Sequence, residues 1–378
     1  MNLRVVASSN KQAELSATVT LRDIAERSGY SKFTVSHALR GNRSQVSEDT
    51  LQHITRVARD MGYDPNTAYQ ARRLAMRRNG KQPLNQLIGL FFPVQNIELP
   101  YFRQFLTGIA GALRKSGFNL LLNCTPTEDA LGELMPMMGR GDVDGLIVMA
   151  NLRGFQRIRD KLRALPGFRD RPIVTVVDSL AGCSGVVTDD RAGMAEAVGH
   201  LLDLGHRRIV HFWPPKQVGD TVARRLRGAA DACCQRGLSP DDVLIAAKGW
   251  DQNERAAAFA DLQRALADHP DATAVLARND RAAVWTVEFL QQLGRRVPED
   301  VSVVGYDDTD PVWNDQHENS LTTVHVPVQQ IGELAADLVV AEARKQSEQP
   351  QVKVVETSLV IRQTTGPAPP RRPEDVTP

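Results

Sequence analysis

Ser31, Lys32, Phe33, Ser36 and His37 place hydrogen-bond donors, a positive charge and an aromatic ring within two helical turns. Such a set can reach phosphate oxygens and base edges in a DNA groove. A second group of polar residues stands at the ends of apolar runs. Asp178 closes IVTVVD, Arg278-Asn279-Asp280 follows AVLA, and Tyr306-Asp307-Asp308 follows VSVVG. Asp, Asn and Arg side chains gathered in this way suit a ligand rich in hydroxyls, because each can make paired hydrogen bonds to neighbouring ones. Catalytic signatures are missing from the sequence. Gly139 to Gly145 reads G-x-G-x-x-x-G and precedes a strand, whereas the dinucleotide fingerprint follows one. There is no Walker sequence, G-x-S-x-G element or metal-binding histidine pair, and Cys124, Cys183, Cys233 and Cys234 have no metal spacing. A non-enzyme without cofactor or metal is expected.

The first group needs short helices to hold it. Leu21, Ile24 and Ala25 fall on one helical face, Gly29 supplies a turn, and Val35 with Leu39 makes the apolar face of a second helix that docks on the first. Val46 to Thr50 reads as the start of a third helix, with Ser47 as N-cap and acids in the first turn. Leu51, Ile54, Val57, Ala58 and Met61 continue its apolar face, and Gly62-Tyr63-Asp64-Pro65 ends it.

The second group belongs to a different architecture. From Leu87 onward, apolar runs at 87–92, 119–123, 145–150, 173–177, 208–213, 274–277 and 301–306 alternate with helical patterns at 102–115, 192–204, 223–236, 255–267, 282–293 and 329–345. That alternation is the signature of parallel sheets in doubly wound α/β layers. In open sheets of this kind ligands bind at the carboxyl ends of strands, where Asp178, Asn279 and Asp307 stand.

Net charge is +1, but residues 1–80 hold 13 Lys and Arg against 7 Asp and Glu, leaving 33 against 38 for the remainder. Positive charge is concentrated where phosphates would lie. No apolar run approaches the roughly 18 residues needed to span a bilayer, and the first residues lack a hydrophobic signal core, so a cytoplasmic protein without membrane contact is expected.

The segments Thr20 to Leu39, Val46 to Thr50 and Gly62 to Asn66 match T-x-x-D-[IV]-A-x-x-x-G-[VY]-S-x-x-T-V-S-x-x-L, V-S-x-x-T and G-Y-x-P-N. The chain thus resembles the LacI/GalR family of bacterial repressors, from about residue 19 to residue 366. The resemblance implies an N-terminal all-α helix-turn-helix head and an α/β two-lobed effector domain of the type I periplasmic-binding-protein-like fold. Residues 1–18, polar and without periodicity, are expected to form a disordered arm and 367–378 a Pro-rich tail, while the resemblance implies a head at 19–65, a hinge helix at 66–80 and an effector-binding and dimerisation domain at 81–366. The first lobe would hold 86–187 and 326–355, the second 188–325 and 356–366, with crossovers near Val187-Thr188, Val324 to Val326 and Val355 to Thr357.

The DNA-contacting set implied is Thr20, Leu21, Ser31, Lys32, Phe33, Ser36, His37, Ser47, Thr50, Asn66 and Leu74. Leu74, in Ala71-Arg72-Arg73-Leu74, would wedge into the minor groove and kink the duplex. Effector contacts would come from Arg225 in Arg225-Leu226-Arg227-Gly228, from Asn279 and Asp307, from Asp178, and from the rings of Trp250 and Phe102. The expected partners are pseudo-palindromic double-stranded DNA, a carbohydrate effector and a second copy of the chain. Three departures from the family pattern stand out. The 18-residue arm precedes the first helix, Ala71 lies six rather than four residues after Pro65, and His37 stands where arginine is most frequent.

Overall fold

The computed structural model describes residues 19–39, 46–63, 84–93, 99–125, 138–139, 141–149, 155–212, 220–247, 255–346 and 349–370. The expected arm and hinge, most of the tail, and Asn66, Leu74 and Trp250 lie outside the described residues. The chain divides into two units, Met1–Pro83 and Leu84–Pro378.

The first unit contains α1 (Leu21–Ser28), α2 (Lys32–Leu39) and α3 (Glu48–Asp60). Each start is fixed by a short hydroxyl side chain that satisfies a backbone N–H left without a partner in the first turn. Thr20 and Asp23 form a capping box, with the Thr20 N–H donating to Asp23 Oδ2 at 2.7 Å. Ser31 Oγ accepts from the Thr34 N–H at 3.1 Å, and Ser47 Oγ from the Thr50 N–H at 3.3 Å. The turn between α1 and α2 needs a left-handed residue, which Gly29 supplies at φ 77°. Ile24, Val35, Ala38, Val46, Ile54 and Ala58 are the buried core, flanked by Leu21, Ala25, Leu39, Leu51, Val57, Met61 and Tyr63.

The second unit is built on two six-stranded sheets. In chain order it comprises β1 (Leu87–Pro93), α4 (Pro100–Lys115), β2 (Asn119–Thr125), β3 (Gly145–Val148), α5 (Phe155–Ala164), β4 (Ile173–Val176) and β5 (Ser184–Thr188). There follow α6 (Asp190–Asp203), β6 (Ile209–His211), α7 (Asp220–Gln235), α8 (Pro240–Val243), β7 (Leu244–Ala246), α9 (Arg255–Asp268), β8 (Ala274–Leu276), α10 (Asp280–Gln292) and β9 (Ser302–Asp307). The last elements are β10 (Thr322–His325), α11 (Val328–Ala343), β11 (Val352–Val355) and β12 (Ser358–Val360).

One sheet has the order β11-β5-β4-β3-β1-β2, the other β12-β10-β9-β8-β6-β7. Every pairing is parallel except β12 on β10. The central strands β3, β4, β5, β6 and β8 are buried along their whole length, as parallel strands covered on both faces must be. The chain passes from the first sheet to the second between β5 and α6, returns between β10 and α11, and passes again between β11 and β12. This order places the ends of β4 and β9 against the start of α7, which positions the polar residues described next.

Candidate functional sites

On the head, the outer face of α2 carries the expected DNA-reading residues. Lys32 and Phe33 are exposed, Phe33 to 66%, and Ser36 and His37 are half-buried. The Phe33 and His37 rings lie with centroids 4.3 Å apart at 44°. The other expected contacts have a structural task in the head. Thr20, Ser31 and Ser47 engage their side-chain oxygens in the caps, Thr50 Oγ1 lies 2.8 Å from Ser47 Oγ, and Leu21 packs against the core. The side-chain and backbone hydrogen bonds from Thr20 hold the Asp23 carboxyl below its ordinary pKa.

In the second unit a polar cluster centres on a residue that the sequence did not single out. Asp190, wholly buried at the start of α6, accepts from Arg225 Nε at 3.0 Å, Arg224 Nη2 at 2.9 Å, the Tyr306 hydroxyl at 3.1 Å and the Thr188 hydroxyl at 2.9 Å. Arg225 also donates from Nη1 to Arg278 O at 3.0 Å, and its guanidinium carbon lies 3.4 Å from the centroid of the Tyr306 ring. The arginine expected to meet the effector is therefore held on three sides by groups of its own lobe.

Asp307 ends β9 at φ 107°, a region that L-residues rarely adopt. Val177, which follows β4, has φ 78°, so backbone strain is stored at both strand ends beside the cluster. Burial pushes the Asp307 carboxyl up to about 7; Arg225 opposes the shift, while Asp190 and Asp310 add to it. Asp280 is 1% exposed and receives the Thr309 N–H at 2.6 Å and the Thr323 hydroxyl. Burial, then the nearby Asp307, raises its pKa.

The other expected effector residues divide by environment. Asn279 is the N-cap of α10, its Oδ1 accepting from the Ala282 N–H at 2.9 Å. Asp178, beside β4 of the first sheet, binds the first turn of α7: its Oδ1 accepts from the Thr221 N–H at 2.9 Å and the Thr221 hydroxyl at 2.6 Å. Arg224 Nη2 lies 3.9 Å from the same oxygen and donates to Val177 O at 2.9 Å. Asp178 thus ties the lobes together.

Phe102 departs from the expectation of a cleft ring. It is 7% exposed in the core that includes Phe105, Ile109 and Leu113, because the helical period turns it inward. Its neighbour Tyr101 is the ring near the cluster: burial raises the Tyr101 pKa, and the Asp307 carboxylate adds to the rise. Trp285 packs beside the second lobe's core, with the Arg281 guanidinium carbon 5.2 Å from the centre of its ring.

Asp190, Arg224, Tyr306 and Tyr101 were missed as members of the cluster. Tyr306 lies inside a motif already quoted, so its place was legible, but its direction was not. An open cavity of about 250 Å³ lies elsewhere in the first lobe, lined by residues that include Arg163, Arg171, Cys183, Glu342 and Lys345. It contains none of the cluster residues. Among the described residues no three His, Cys, Asp or Glu side chains are grouped to hold a metal, and no helix is long and apolar enough to cross a membrane.

With this geometry in place, the similarities to known proteins are specific. Residues 20–66 match the model of bacterial regulatory proteins, lacI family, and residues 198–365 match that of a periplasmic binding protein-like domain. The HTH-type transcriptional regulator MalR of Streptomyces coelicolor is 33% identical over 377 residues, covering 94% of this chain and 99% of the relative. The chain belongs to the lacI family of bacterial regulatory proteins. Two solved structures extend the likeness to three dimensions. The transcriptional regulator CelR–cellobiose complex has a TM-score of 0.63 at 25% identity over 92% of this chain and 99% of that one. The Lac repressor bound to ONPG in the repressed state has a TM-score of 0.67 at 25% identity over 92% of this chain and all of that one. Within this lacI-family chain, the matched segment at 20–66 contains the exposed face of α2, and the segment at 198–365 contains Arg225, Asn279 and Asp307.

Proposed function

We propose that this protein is a repressor whose operator affinity is controlled by a carbohydrate bound between the two lobes of the effector domain. The observation that carries the reading is the pairing of a DNA-reading face on α2 with a polar cluster in which Arg225 and Asp307 come together beside two strand ends. Relatives with the same organisation support it, one of them in complex with cellobiose. Residues 19–65 read the major groove as one half of a homodimer on a pseudo-palindromic operator, while 66–80 serve as hinge, with Leu74 entering the minor groove. Residues 81–366 bind the effector in the cytoplasm. Arg225 and Asp307, with the amide of Asn279, meet sugar hydroxyls, and Tyr101 closes on them from the first lobe. The effector acts through a coupling free energy of order 1–3 kcal/mol between cleft and head. Such a protein has binding partners and no substrate.

The test joins two assays on the full-length protein. Selection from random and genomic DNA should enrich a palindromic site whose affinity falls steeply with salt. Calorimetry with a panel of mono- and disaccharides should find a ligand that changes operator affinity in the wild type but not in Arg225→Ala or Asp307→Ala. A protein that enriches no site is not a repressor, and a purine or amino-acid effector would overturn the carbohydrate.

A further inference from the structure

Phe33 is the second residue of α2, and two thirds of its surface is exposed, 66%. The surface around it is polar, formed by Lys32, Ser36 and His37, in a segment where 13 basic residues face 7 acidic ones over positions 1–80. A phenyl ring has neither donor nor acceptor, so on this face it contributes nothing to phosphate binding or hydrogen-bonded base reading. Among the base edges of the major groove one group is apolar, the C5-methyl of thymine. The ring is also supported: His37, one turn later on the same face, lies 4.3 Å away between centroids. An i, i+4 neighbour of this kind restricts the side chain before binding and reduces the rotamer entropy lost on contact.

We propose that the Phe33–His37 ring pair reads a thymine C5-methyl group in each operator half-site. Phe33 covers the methyl and His37 holds the phenyl in place. The proposal rests on the reading of α2 as the DNA-binding face and goes beyond it by naming the base and the chemical group recognised. The basic character of the head favours this occupant over a second protein surface, because it brings the ring to a polyanion.

Deoxyuridine differs from thymidine only in lacking this methyl, so it keeps every hydrogen bond and every phosphate. The experiment takes the site selected by full-length wild-type protein and replaces its thymines one symmetric pair at a time by deoxyuridine. At one pair, wild-type affinity should fall about fourfold per half-site, the loss expected for one buried methyl. The ratio should be the same at two salt concentrations, although both absolute affinities change. Phe33→Ala should bind the thymine and uracil sites equally, and His37→Ala should reduce the ratio while His37→Phe keeps it. Wild-type affinity insensitive to uracil at every position would overturn the proposal, as would a Phe33→Ala protein that retains the full ratio. Failure to enrich any site would instead remove the repressor reading itself, so the two failures are distinguishable.

Discussion

Asp190 is a buried carboxylate that receives two arginines and two hydroxyls, so its charge is compensated where it stands. Ion pairs of this kind add little net stability but fix geometry, since removing one partner leaves an uncompensated buried charge. Here the geometry fixed is that of Arg225. Beside it, burial pushes the Asp307 carboxyl up to about 7, so on the proposed reading, in which Asp307 meets the effector, binding depends on pH near neutrality. Only the ionised form offers all its oxygens as acceptors to ligand hydroxyls. Effector affinity should therefore rise from pH 6 to pH 8 and level off above, and Asp307→Asn should bind more weakly with a flat profile. The sign for folding is opposite. The folded-state pKa lies above the unfolded value, so the folded protein holds the extra proton and loses stability as pH rises from about 4 through 7. Calorimetric titrations across this range, with denaturation curves on the same samples, check both trends.

At the scale of elements, α7 carries Arg225 and is held close to α6 by a glycine. A Cβ at Gly228 would lie 2.1 Å from the backbone oxygen of Arg191, a contact no side-chain adjustment relieves. This is the physical reason for glycine in Arg225-Leu226-Arg227-Gly228. Gly228→Ala should destabilise the effector domain by about 1–3 kcal/mol, lower its Tm by several degrees, and weaken effector binding by displacing the turn that holds Arg225. Thermal unfolding and calorimetry measure the two effects.

The segment after β12 depends on another buried group. His206 is fully buried, its Nε2 donating to Gly366 O at 3.1 Å and its Nδ1 accepting from the Thr273 hydroxyl at 2.8 Å. Burial holds its pKa at about 4, below the roughly 6.5 of an exposed histidine. Its stabilising contribution is complete above that unfolded value and is lost as pH falls through 4, with a slope of up to about 1.4 kcal/mol per pH unit in between. Urea denaturation between pH 4.5 and 7 should show this slope in the wild type and a shallower one in His206→Gln.

At the scale of the whole effector domain, the two sheets are joined by the three chain crossings and by the tie from Val177 and Asp178 to Thr221 and Arg224. The tie ends on the first turn of α7, the helix that also presents Arg225. A change in the angle between the lobes must therefore stretch or release it. Asp178→Ala should reduce the effector-dependent change in operator Kd by fivefold or more and leave operator affinity without effector within about threefold, as expected for loss of part of a 1–3 kcal/mol coupling. Asp178→Asn keeps an acceptor for Thr221 and should be milder. Operator titrations with and without effector read the difference, and an unchanged response in Asp178→Ala would show that the tie does not transmit the lobe motion.

The sequence alone determined what depends on near neighbours. The cap at Ser47, the turn at Gly29 and the apolar faces of α1 to α3 follow from i, i+3 and i+4 spacing, whereas the capping box at Thr20 was found only in the structure. The parallel α/β layers follow from buried runs alternating with helical patterns. Other elements escaped: β5, β7, β10, β11 and β12, of three to five residues, α8, of four, and the ten-residue α5. Asn279 and Asp307 were legible as strand-end positions, and Arg225 through the R-x-x-G pattern of the family that the chain resembles. What those side chains face was decided by tertiary structure. Asp190 gathers Arg224, Arg225 and Tyr306 from segments more than 30 residues away in sequence. Phe102 turns into the core while Tyr101 stands near Asp307, a choice fixed by how α4 rotates against the first sheet and α11. Spacing along a chain sets which side of an element a residue occupies; only packing between elements sets what that side meets.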